Sequence, residues 1–353
     1  MLNNLLTDLS VQRRPLKRFL SKSLMLLALF LALDRLAGWV FLRGLDHYYG
    51  LDVPAQIVCV GHSHTVLGID KPALEQALGV PVAKFAVEGA NTADRLLMVQ
   101  YYFKRQPASV RAVVYDVDAH TFTGSGLSSS SYQLLFPFID DPDIREYIRR
   151  NCASRTEYIL RRLFCTPRYN ELMLTLVVRG YLNRWSNFKF GHVDPEVLRR
   201  QIRQGRFRRI DFDRDNLSEF ARMADFVASR HIRLYLVYIP TIDILNQAEP
   251  EKFQHSLSLF TSLASTNRDI VFLNYNAQFE VRHDLFFDSV HLNREGQREI
   301  TAQLVRDLEP AFEHSAFVDD RQTNVLANER RRLSSLKPVS RTESANPNGY
   351  RVP

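Results

Sequence analysis

Cysteine is scarce in this chain. With three cysteines among 353 residues, the number is too small and too odd for a disulfide framework. Cys59 lies in an apolar run and is expected to be a buried thiol, whereas Cys152 and Cys165 remain able to pair in an oxidising compartment. Internal repeats and a glycine-rich phosphate loop are missing as well. A small disulfide scaffold, a repeat array and a P-loop site are thereby excluded.

What the chain does have is ample apolar material and a basic start. Hydrophobic residues make up 45% of the sequence, enough for a sizeable core in one large or two ordinary domains. The first 22 residues carry five Lys/Arg against one acid, and an apolar run over 24–42 follows, interrupted by Asp34 and Arg35. Its 19 residues come close to the ~20 that a membrane helix requires.

This N-terminal pattern predicts a cytoplasmic basic segment over 1–23 and a transmembrane signal anchor over 24–42. Positive flanks stay on the cytoplasmic side, and no small-x-small cleavage site follows the apolar run. A cleaved secretory signal and an interfacial helix are the alternatives. With an uncleaved anchor, the chain is a single-pass protein of a bacterial inner membrane whose C-terminal domain lies in the periplasm.

From Gln56 onward, short apolar runs alternate with amphipathic segments. The apolar runs predict strands over 57–60, 82–87, 110–117, 232–239 and 270–273. The segments between them predict helices, among them 70–78, 93–105, one that starts at a capping-box-like Asn216 with Glu219, and 294–312. This alternation predicts an α/β domain over 45–313, a three-layer α/β/α sandwich with a mainly parallel, flavodoxin-like sheet. The polar residues 314–353 are expected to form a disordered tail.

A basic segment interrupts the α/β pattern over about 130–211. A flexible loop over 124–131 opens it, and helical patches follow over 146–163 and 171–182. Residues 141–211 contain 16 Lys/Arg against 8 Asp/Glu, a net charge of +8. A helical insertion with this charge indicates acidic polysaccharide or anionic lipid as a partner, or is simply a solvated Arg-rich face. Nucleic acid is not expected as a partner outside the cytoplasm.

One candidate nucleophile follows the first predicted strand. In QIVCVGHSHTVLGID, Ser63 stands between His62 and His64 just after the strand ends at Gly61. Ligands bind at the carboxyl ends of strands in open α/β sheets, so a serine there is a candidate nucleophile. The alternative is that its hydroxyl caps the next helix or closes a turn.

A candidate acid and base lie more than two hundred residues further on. In LFFDSVHLNREGQREIT, Asp288 and His291 stand three residues apart, directly before the last predicted helix. A serine nucleophile needs a base to take its proton and a carboxylate to orient that base, and this loop can supply both. Capping of the following helix is the alternative for the pair. The order of the three residues along the chain predicts a Ser-His-Asp arrangement.

An early G-x-S and a late D-x-x-H resemble the SGNH (GDSL-like) hydrolase superfamily over roughly Gln56 to Phe312, with an unmatched segment in the middle. The resemblance implies that Ser63 is the nucleophile, Asp288 the orienting acid and His291 the base. It also implies an oxyanion site in which the Gly89 amide takes part, with Asn91 as a possible further donor. The sequence departs from the family where His62 replaces the aspartate of G-D-S, and where YDVDAHTFTG offers no asparagine donor.

The membrane anchor, the G-x-S and the FxDxxHLN..G pattern together are similar to periplasmic SGNH-like proteins of polysaccharide O-acylation. This similarity implies a serine O-acyltransferase or esterase that acts on an envelope or secreted polysaccharide without a cofactor. It further implies a multipass membrane protein as the partner that exports the acyl group. A catalytically inactive domain that binds polysaccharide is the alternative, which the missing asparagine favours.

Metal ligation is a third possibility. His62 with His64, and the polar residues Asp116, Asp118 and His120 after the third strand, include the side chains that bind zinc. Polar residues are common at strand ends, and the H-x-H pair lacks a third ligand of matching context. We therefore expect no metal and a role for the two histidines in shaping the pocket.

Overall fold

The computed structural model describes residues 2–124 and 131–312, with side chains from residue 17 onward. The predicted tail over 314–353 and most of the predicted loop over 124–131 lie outside the described residues. Residues up to Val305 belong to one compact unit, which contains the whole sheet and every site residue discussed below. A second unit begins at Arg306 and is described only to residue 312.

A five-stranded sheet forms the centre of the larger unit. Its strands are β1 (Ile57–Gly61), β2 (Val82–Ala86), β3 (Ala112–Val117), β4 (Arg233–Tyr238) and β5 (Ile270–Asn274). The strand order is β2-β1-β3-β4-β5, and all neighbouring strands are parallel. Every residue of β1, β2 and β3 is buried, as expected for parallel strands that are covered on both faces. The predicted α/β fold with a parallel sheet is confirmed.

Helices precede, connect and follow the strands. They are α1 (Leu2–Tyr49), α2 (Ser63–Gly68), α3 (Lys71–Leu78), α4 (Thr92–Arg105), α5 (Pro142–Asn151), α6 (Arg155–Leu163), α7 (Glu171–Tyr181), α8 (Pro195–Arg203), α9 (Arg214–Ala228), α10 (Asp243–Asn246), α11 (Pro250–Thr266), α12 (Asn276–Phe279) and α13 over 294–312. Short 3-10 helices lie at Ser131–Phe138, Thr166–Arg168 and His283–Leu285.

The helices form a layer on each face of the sheet. Helices α4 and α9 pack together over one face, against a core that includes Val60, Tyr115 and Leu236. On the other face, Lys84 of β2 donates to the carbonyl oxygens of Val66 and Ile69 at 2.9 and 2.6 Å and so holds the end of α2. The three-layer arrangement follows from this distribution of helices.

Four details differ from the sequence predictions. The helix expected over 146–163 is two helices, because the chain leaves α5 at Cys152 and Ser154 caps α6 by accepting from the Glu157 amide. Helices α8 and α11 were not predicted. The capping-box interpretation of Asn216 is wrong, since Asp213 caps α9 and accepts from the Asn216 amide at 2.9 Å. All three cysteines are free thiols, so the Cys152–Cys165 pair does not form in this structure.

Helix α1 contains one stretch, Lys17–Tyr49, that is long and apolar enough to cross a membrane by length and composition. Its C-terminal end lies in the core of the domain, where Leu45, Tyr48 and Tyr49 are buried. The apolar N-terminal segment and the α/β domain are therefore joined by one continuous helix.

Candidate active site

The candidate site lies at the carboxyl edge of the sheet, where β1 and β3 are neighbours. Connections leave these two strands toward opposite sides, and such a switch point opens a crevice in which α/β proteins bind ligands. Ser63 follows β1 as the first residue of α2, and Asp116 stands near the end of β3. The strand order thus places the predicted nucleophile where this fold has room for a ligand.

Ser63, His291 and Asp288 form a continuous hydrogen-bonded chain. Ser63 Oγ lies 2.8 Å from His291 Nε2, and His291 Nδ1 lies 2.8 Å from Asp288 Oδ2. The serine and the histidine are 228 residues apart in sequence. The structure therefore brings together the three side chains that the sequence predicted as nucleophile, base and orienting acid.

The Asp288 carboxylate defines the proton positions on the imidazole. A carboxylate only accepts hydrogen bonds, so Nδ1 of His291 carries the hydrogen and Nε2 presents a lone pair to the Ser63 hydroxyl. Burial tends to raise the pKa of Asp288, but the His291 ring and the amides of Val290 and His291 outweigh it and lower that pKa. The carboxylate is consequently ionised at neutral pH, as an orienting acid must be.

Helix capping does not account for these residues. The N-cap of α2 is His62, whose ring Nδ1 accepts from the His64 amide at 3.1 Å, so Ser63 is left to meet His291. At the start of α13, Asn293 Oδ1 accepts from the Gly296 amide at 3.0 Å. Asp288 instead accepts from the amides inside its own loop. Neither alternative that the sequence left open is needed to explain Ser63 or the D-x-x-H pair.

A buried ion pair supports the turn over 61–65 that carries Ser63, here called the nucleophile turn. Asp116 Oδ2 accepts from the amides of His62 and Thr65 at 3.3 and 3.0 Å, while Arg95 Nη1 donates to Asp116 Oδ1 at 2.9 Å. Burial raises the pKa of Asp116, but the neighbouring His62 ring and the Arg95 guanidinium outweigh it and lower that pKa below its usual value. An ionised carboxylate on β3 thus fixes two backbone N–H groups on either side of Ser63.

Gly61 makes this close approach possible. A Cβ atom at this position would lie 2.0 Å from Thr65 Oγ1 and 2.4 Å from Asp116 Oδ1. Because neither atom belongs to the free end of a long side chain, any larger residue would push the turn away from β3. The glycine of G-x-S is therefore required by packing against the carboxylate that supports the turn.

The two histidines beside Ser63 belong to a buried polar cluster. The Nδ1 atom of His64 lies 3.4 Å from Asp118 Oδ2, and the His64 ring meets the His291 ring edge to face at 5.7 Å. Burial, together with the neighbouring His62 ring, lowers the pKa of His64 to about 3. His64 is therefore a neutral imidazole packed behind the base.

His62, His64 and Asp116 are also close enough to hold a metal ion, with one ligand atom of each within 4.8 Å of the others. Two of the three residues already have protein partners there, whereas His64 Nδ1 is buried without a hydrogen-bond partner among the described residues. His62 Nδ1 accepts from an amide, and Asp116 accepts from two amides and from Arg95. A guanidinium next to the carboxylate opposes a cation, so the donor set fits a structural cluster better than a metal site.

The two predicted oxyanion residues lie at the same edge of the sheet. Gly89 has φ +76° in the turn after β2, where the Val87 amide donates to Gly61 at 3.1 Å. Asn91 is the N-cap of α4, because its side chain accepts from the Asp94 amide at 2.8 Å while Asp94 accepts from the Asn91 amide. The capping box uses the Oδ1 atom and the backbone amide of Asn91 but not its Nδ2 group, so Gly89 and Asn91 both stay predicted oxyanion donors.

Several supporting residues were not identified from the sequence. Arg95 carries no local signal because it lies on an amphipathic helix, and Asp116 was considered only as a metal ligand and not as the support of the Ser63 turn. Asn293 Nδ2 donates to the carbonyl oxygen of Asp284 at 2.7 Å, and Gln297 Nε2 donates to that of Leu67 at 2.8 Å. The polar residues of the HLNREGQ segment were the only sequence signal that the start of α13 holds the loop that carries His291.

A cavity of about 720 Å³ opens beside the nucleophile helix. Val66 and Leu67 of α2 line it together with Glu88, the residue before Gly89. Helix α7 and the segment 183–189 form the opposite wall, to which Arg179 and Trp185 contribute. A ligand in this cavity would therefore lie between the candidate oxyanion loop and the basic insertion.

No protein-family model matches the chain, and no curated protein matches it. Among solved structures, a GDSL-like lipase from Bacteroides thetaiotaomicron is 13% identical, with 78% of this chain and 99% of that chain covered and a TM-score of 0.38. An alpha/beta hydrolase enzyme from the metagenome of Lake Arreo, Spain, is 11% identical, with 70% and 91% covered and a TM-score of 0.31. Similarity at this level does not assign the chain to a family.

Proposed function

We propose that this chain is a membrane-anchored serine O-acyltransferase or esterase of SGNH type that acts on an envelope or secreted polysaccharide outside the cytoplasm. The observation that carries the enzymatic part is the hydrogen-bonded chain from Ser63 Oγ through His291 to Asp288, with 2.8 Å at each step. Three side chains of the required types, in this order and at the ligand-binding edge of the sheet, support nucleophilic acyl transfer.

In the proposed reaction, Ser63 Oγ attacks an ester carbonyl while His291 Nε2 takes its proton. Asp288 holds the ring in the reactive tautomer and stabilises the imidazolium. The backbone amides of Ser63 and Gly89 receive the oxyanion, and His291 then returns the proton to the departing alcohol. A sugar hydroxyl or water, deprotonated by the same histidine, attacks the acyl-serine in the second half and releases the acyl group.

The location and the substrate class rest on other parts of the chain. Helix α1 supplies a stretch that is apolar enough to cross a membrane, and its basic N-terminal flank favours a domain outside the cytoplasm. The insertion around the cavity is basic, which favours an acidic polysaccharide. The similarity to O-acylation proteins noted above adds a multipass membrane protein as the partner that delivers the acyl group.

The decisive experiment uses the full-length protein in detergent micelles and a fluorophosphonate probe, with the adduct measured by intact mass. Wild type should gain one adduct, and Ser63→Ala should gain none because the nucleophile is missing. Ser258→Ala is the matched control, since Ser258 is exposed on α11 and should not affect the reaction. Folded wild-type protein that stays unmodified would contradict the proposal.

A catalytically inactive polysaccharide-binding protein is the second candidate. The observation that favours it is the end of β3, where Asp116 and Asp118 stand and no asparagine offers an oxyanion donor. Loss of one such donor costs about a hundredfold or more in rate. Retention of oligosaccharide binding by a protein that fails to react with the probe would favour this second function.

A further inference from the structure

We propose that the insertion hairpin, defined as α6, the 3-10 turn Thr166–Arg168 and α7, is seated in the outer membrane–water interface beside α1. Its partner is the lipid bilayer, whose acyl chains meet the exposed apolar side chains and whose anionic headgroups meet the arginines. This inference rests on the membrane anchoring that forms part of the proposed function, and it adds a second membrane contact to a single-span protein.

The first observation is that α6 has an apolar side without a partner among the residues that the structure describes. Ile159, Leu160 and Leu163 are each about half exposed, and α6 contributes no buried residue. Arg155 and Arg162 are exposed at the margin of this apolar side, one helical turn from Ile159. An amphipathic helix whose apolar side is bordered by basic residues is typical of helices that lie in the plane of an anionic membrane surface.

The second observation is where α6 ends relative to the anchor. The ring centroids of Phe164 and Phe30 lie 5.8 Å apart, and the amides of Cys165 and Thr166 donate to Asp34 at 2.8 and 2.9 Å. The end of α6 therefore runs alongside residues 30–34 of α1. This part of α1 lies within the apolar run rather than after it.

The depth follows from helix geometry. A hydrocarbon core of ~30 Å takes about 20 helical residues at 1.5 Å each. Even if the span began as early as Lys17, the first residue of α1 whose side chain the structure describes, it would extend to about residue 36. Because the tip of the hairpin packs against α1 before that point, and the predicted span over 24–42 ends later still, the tip lies at the outer edge of the hydrocarbon or below it.

The main objection to a membrane span here is that the charged residues Asp34 and Arg35 interrupt the apolar run. The contacts of the two side chains remove this objection. Asp34 accepts from two amides and from the Thr166 hydroxyl, and Arg35 donates to the Leu163 carbonyl oxygen at 2.7 Å. A charged side chain in hydrocarbon is costly unless it is paired or satisfied by backbone groups. The hairpin binds both side chains, and the two charges lie 3.7 Å from each other, so its presence at that depth makes the interrupted apolar run compatible with a membrane.

Helix α7 extends the same surface. A Cβ atom on Gly180 would lie 1.9 Å from the Gly44 oxygen, so the two helix backbones touch, and the Tyr181 hydroxyl donates to the Val40 carbonyl oxygen at 2.7 Å. Beside this contact, Leu174 and Val178 are exposed one helical turn apart. Exposed apolar side chains therefore lie on α1 and on both helices of the hairpin that packs against it, as expected of helices that face lipid.

Depth measurement by spin labelling tests the inference. Full-length protein with Cys152→Ser, which removes the half-exposed thiol, is placed in nanodiscs of phosphatidylethanolamine and phosphatidylglycerol. Single cysteines are then introduced at exposed positions as Leu160→Cys, Leu163→Cys and Val178→Cys. Leu29→Cys reports on the anchor, and Arg222→Cys on α9 is the water-exposed control. Collisions with oxygen and with a water-soluble nickel chelate are compared for each label.

We expect the labels at 160, 163 and 178 to collide more with oxygen than with nickel, as the label at 29 does, and the label at 222 to show the reverse. Nickel-accessible labels at 160, 163 and 178 with an oxygen-rich label at 29 would overturn the hairpin inference and leave the anchor intact. Nickel access at 29 would overturn the anchoring itself, and the inference with it.

Discussion

Arg95 donates to Asp116 over 2.9 Å in an ion pair that has no exposed surface on either side chain. The other oxygen of this carboxylate accepts the amides of His62 and Thr65, the two residues that enclose Ser63 and its neighbour His64. The Asp116 carboxylate on the neighbouring strand β3 therefore fixes the path of the nucleophile turn, and Arg95 balances the charge of that carboxylate. The Arg95 guanidinium also lies 4.5 Å from the Tyr115 ring, which fixes its position further.

Replacing Arg95 with methionine should destabilise the protein strongly. The variant leaves Asp116 as a buried carboxylate without its cation, which typically costs about 3–5 kcal/mol. The free energy of unfolding is measured by denaturant titration in detergent, followed by tryptophan fluorescence. Arg222→Met removes an exposed pair with Glu219 and should cost less than about 1 kcal/mol. Equal losses in the two variants would contradict the role given to Arg95.

Asp288→Asn should slow the reaction with the fluorophosphonate while leaving the fold intact. An amide at this position can donate to Nδ1 of His291 and so stabilise the tautomer in which Nε2 no longer accepts the serine proton. A comparable change in a serine protease lowers the rate about ten-thousandfold, and we expect a loss of a thousandfold or more. Asp284→Asn is the control, because Asp284 pairs with Arg282 at the surface of the same loop. A similar rate for Asp288→Asn and wild type would show that His291 is not oriented in this way.

Asn293→Ala should reduce both stability and reactivity. The side chain caps α13 and also donates to the carbonyl oxygens of Asp284 and Gly191, so its loss should cost about 2 kcal/mol and loosen the loop of the base. The unfolding midpoint and the probe rate are measured together. Asn267→Ala removes the hydrogen bond that the Asp269 amide donates to the Asn267 side chain, far from the site. This variant should lower stability without affecting the probe rate. A full probe rate in Asn293→Ala would argue against its positioning role.

The low pKa of His64 predicts a loss of stability in mild acid. An unfolded histidine binds a proton near pH 6.5, whereas folded His64 does so only at about pH 3. Between these values the unfolded chain holds the additional proton, so stability falls as the pH is lowered. From pH 6.5 to pH 5 the loss attributable to His64 should be about 2 kcal/mol.

The pH dependence is isolated by comparing variants. Unfolding free energies of wild type, His64→Asn and His231→Asn are measured from pH 7 to pH 5. His231 is exposed with φ +56°, a conformation that asparagine tolerates, so its variant should keep the wild-type slope. The slope should flatten only in His64→Asn. An unchanged slope in that variant would show that His64 does not cause the loss of stability in acid.

The fold could be predicted because parallel strands that are covered on both faces are continuous apolar runs. Each of the five expected strands is found within two residues of its predicted ends. Helices α8 and α11 were missed. In α11, serines and threonines reduce the contrast between an apolar and a polar face. At α9, two capping residues stand three positions apart, and only the backbone shows that Asp213 rather than Asn216 begins the helix.

Local patterns were enough to identify the candidates for chemistry, because a serine after the first strand and an Asp-His pair before the last helix are visible in short stretches of sequence. The tertiary structure brings Ser63 and His291, 228 positions apart, within 2.8 Å, because strand order and not chain order places them at one edge. It also decided the roles of Arg95, Asp116 and Asn293, whose partners lie on other elements. The same holds for Asp34, a charge that interrupts an apolar run in sequence and whose hydrogen bonds to residues 165 and 166 appear only when the chain is folded.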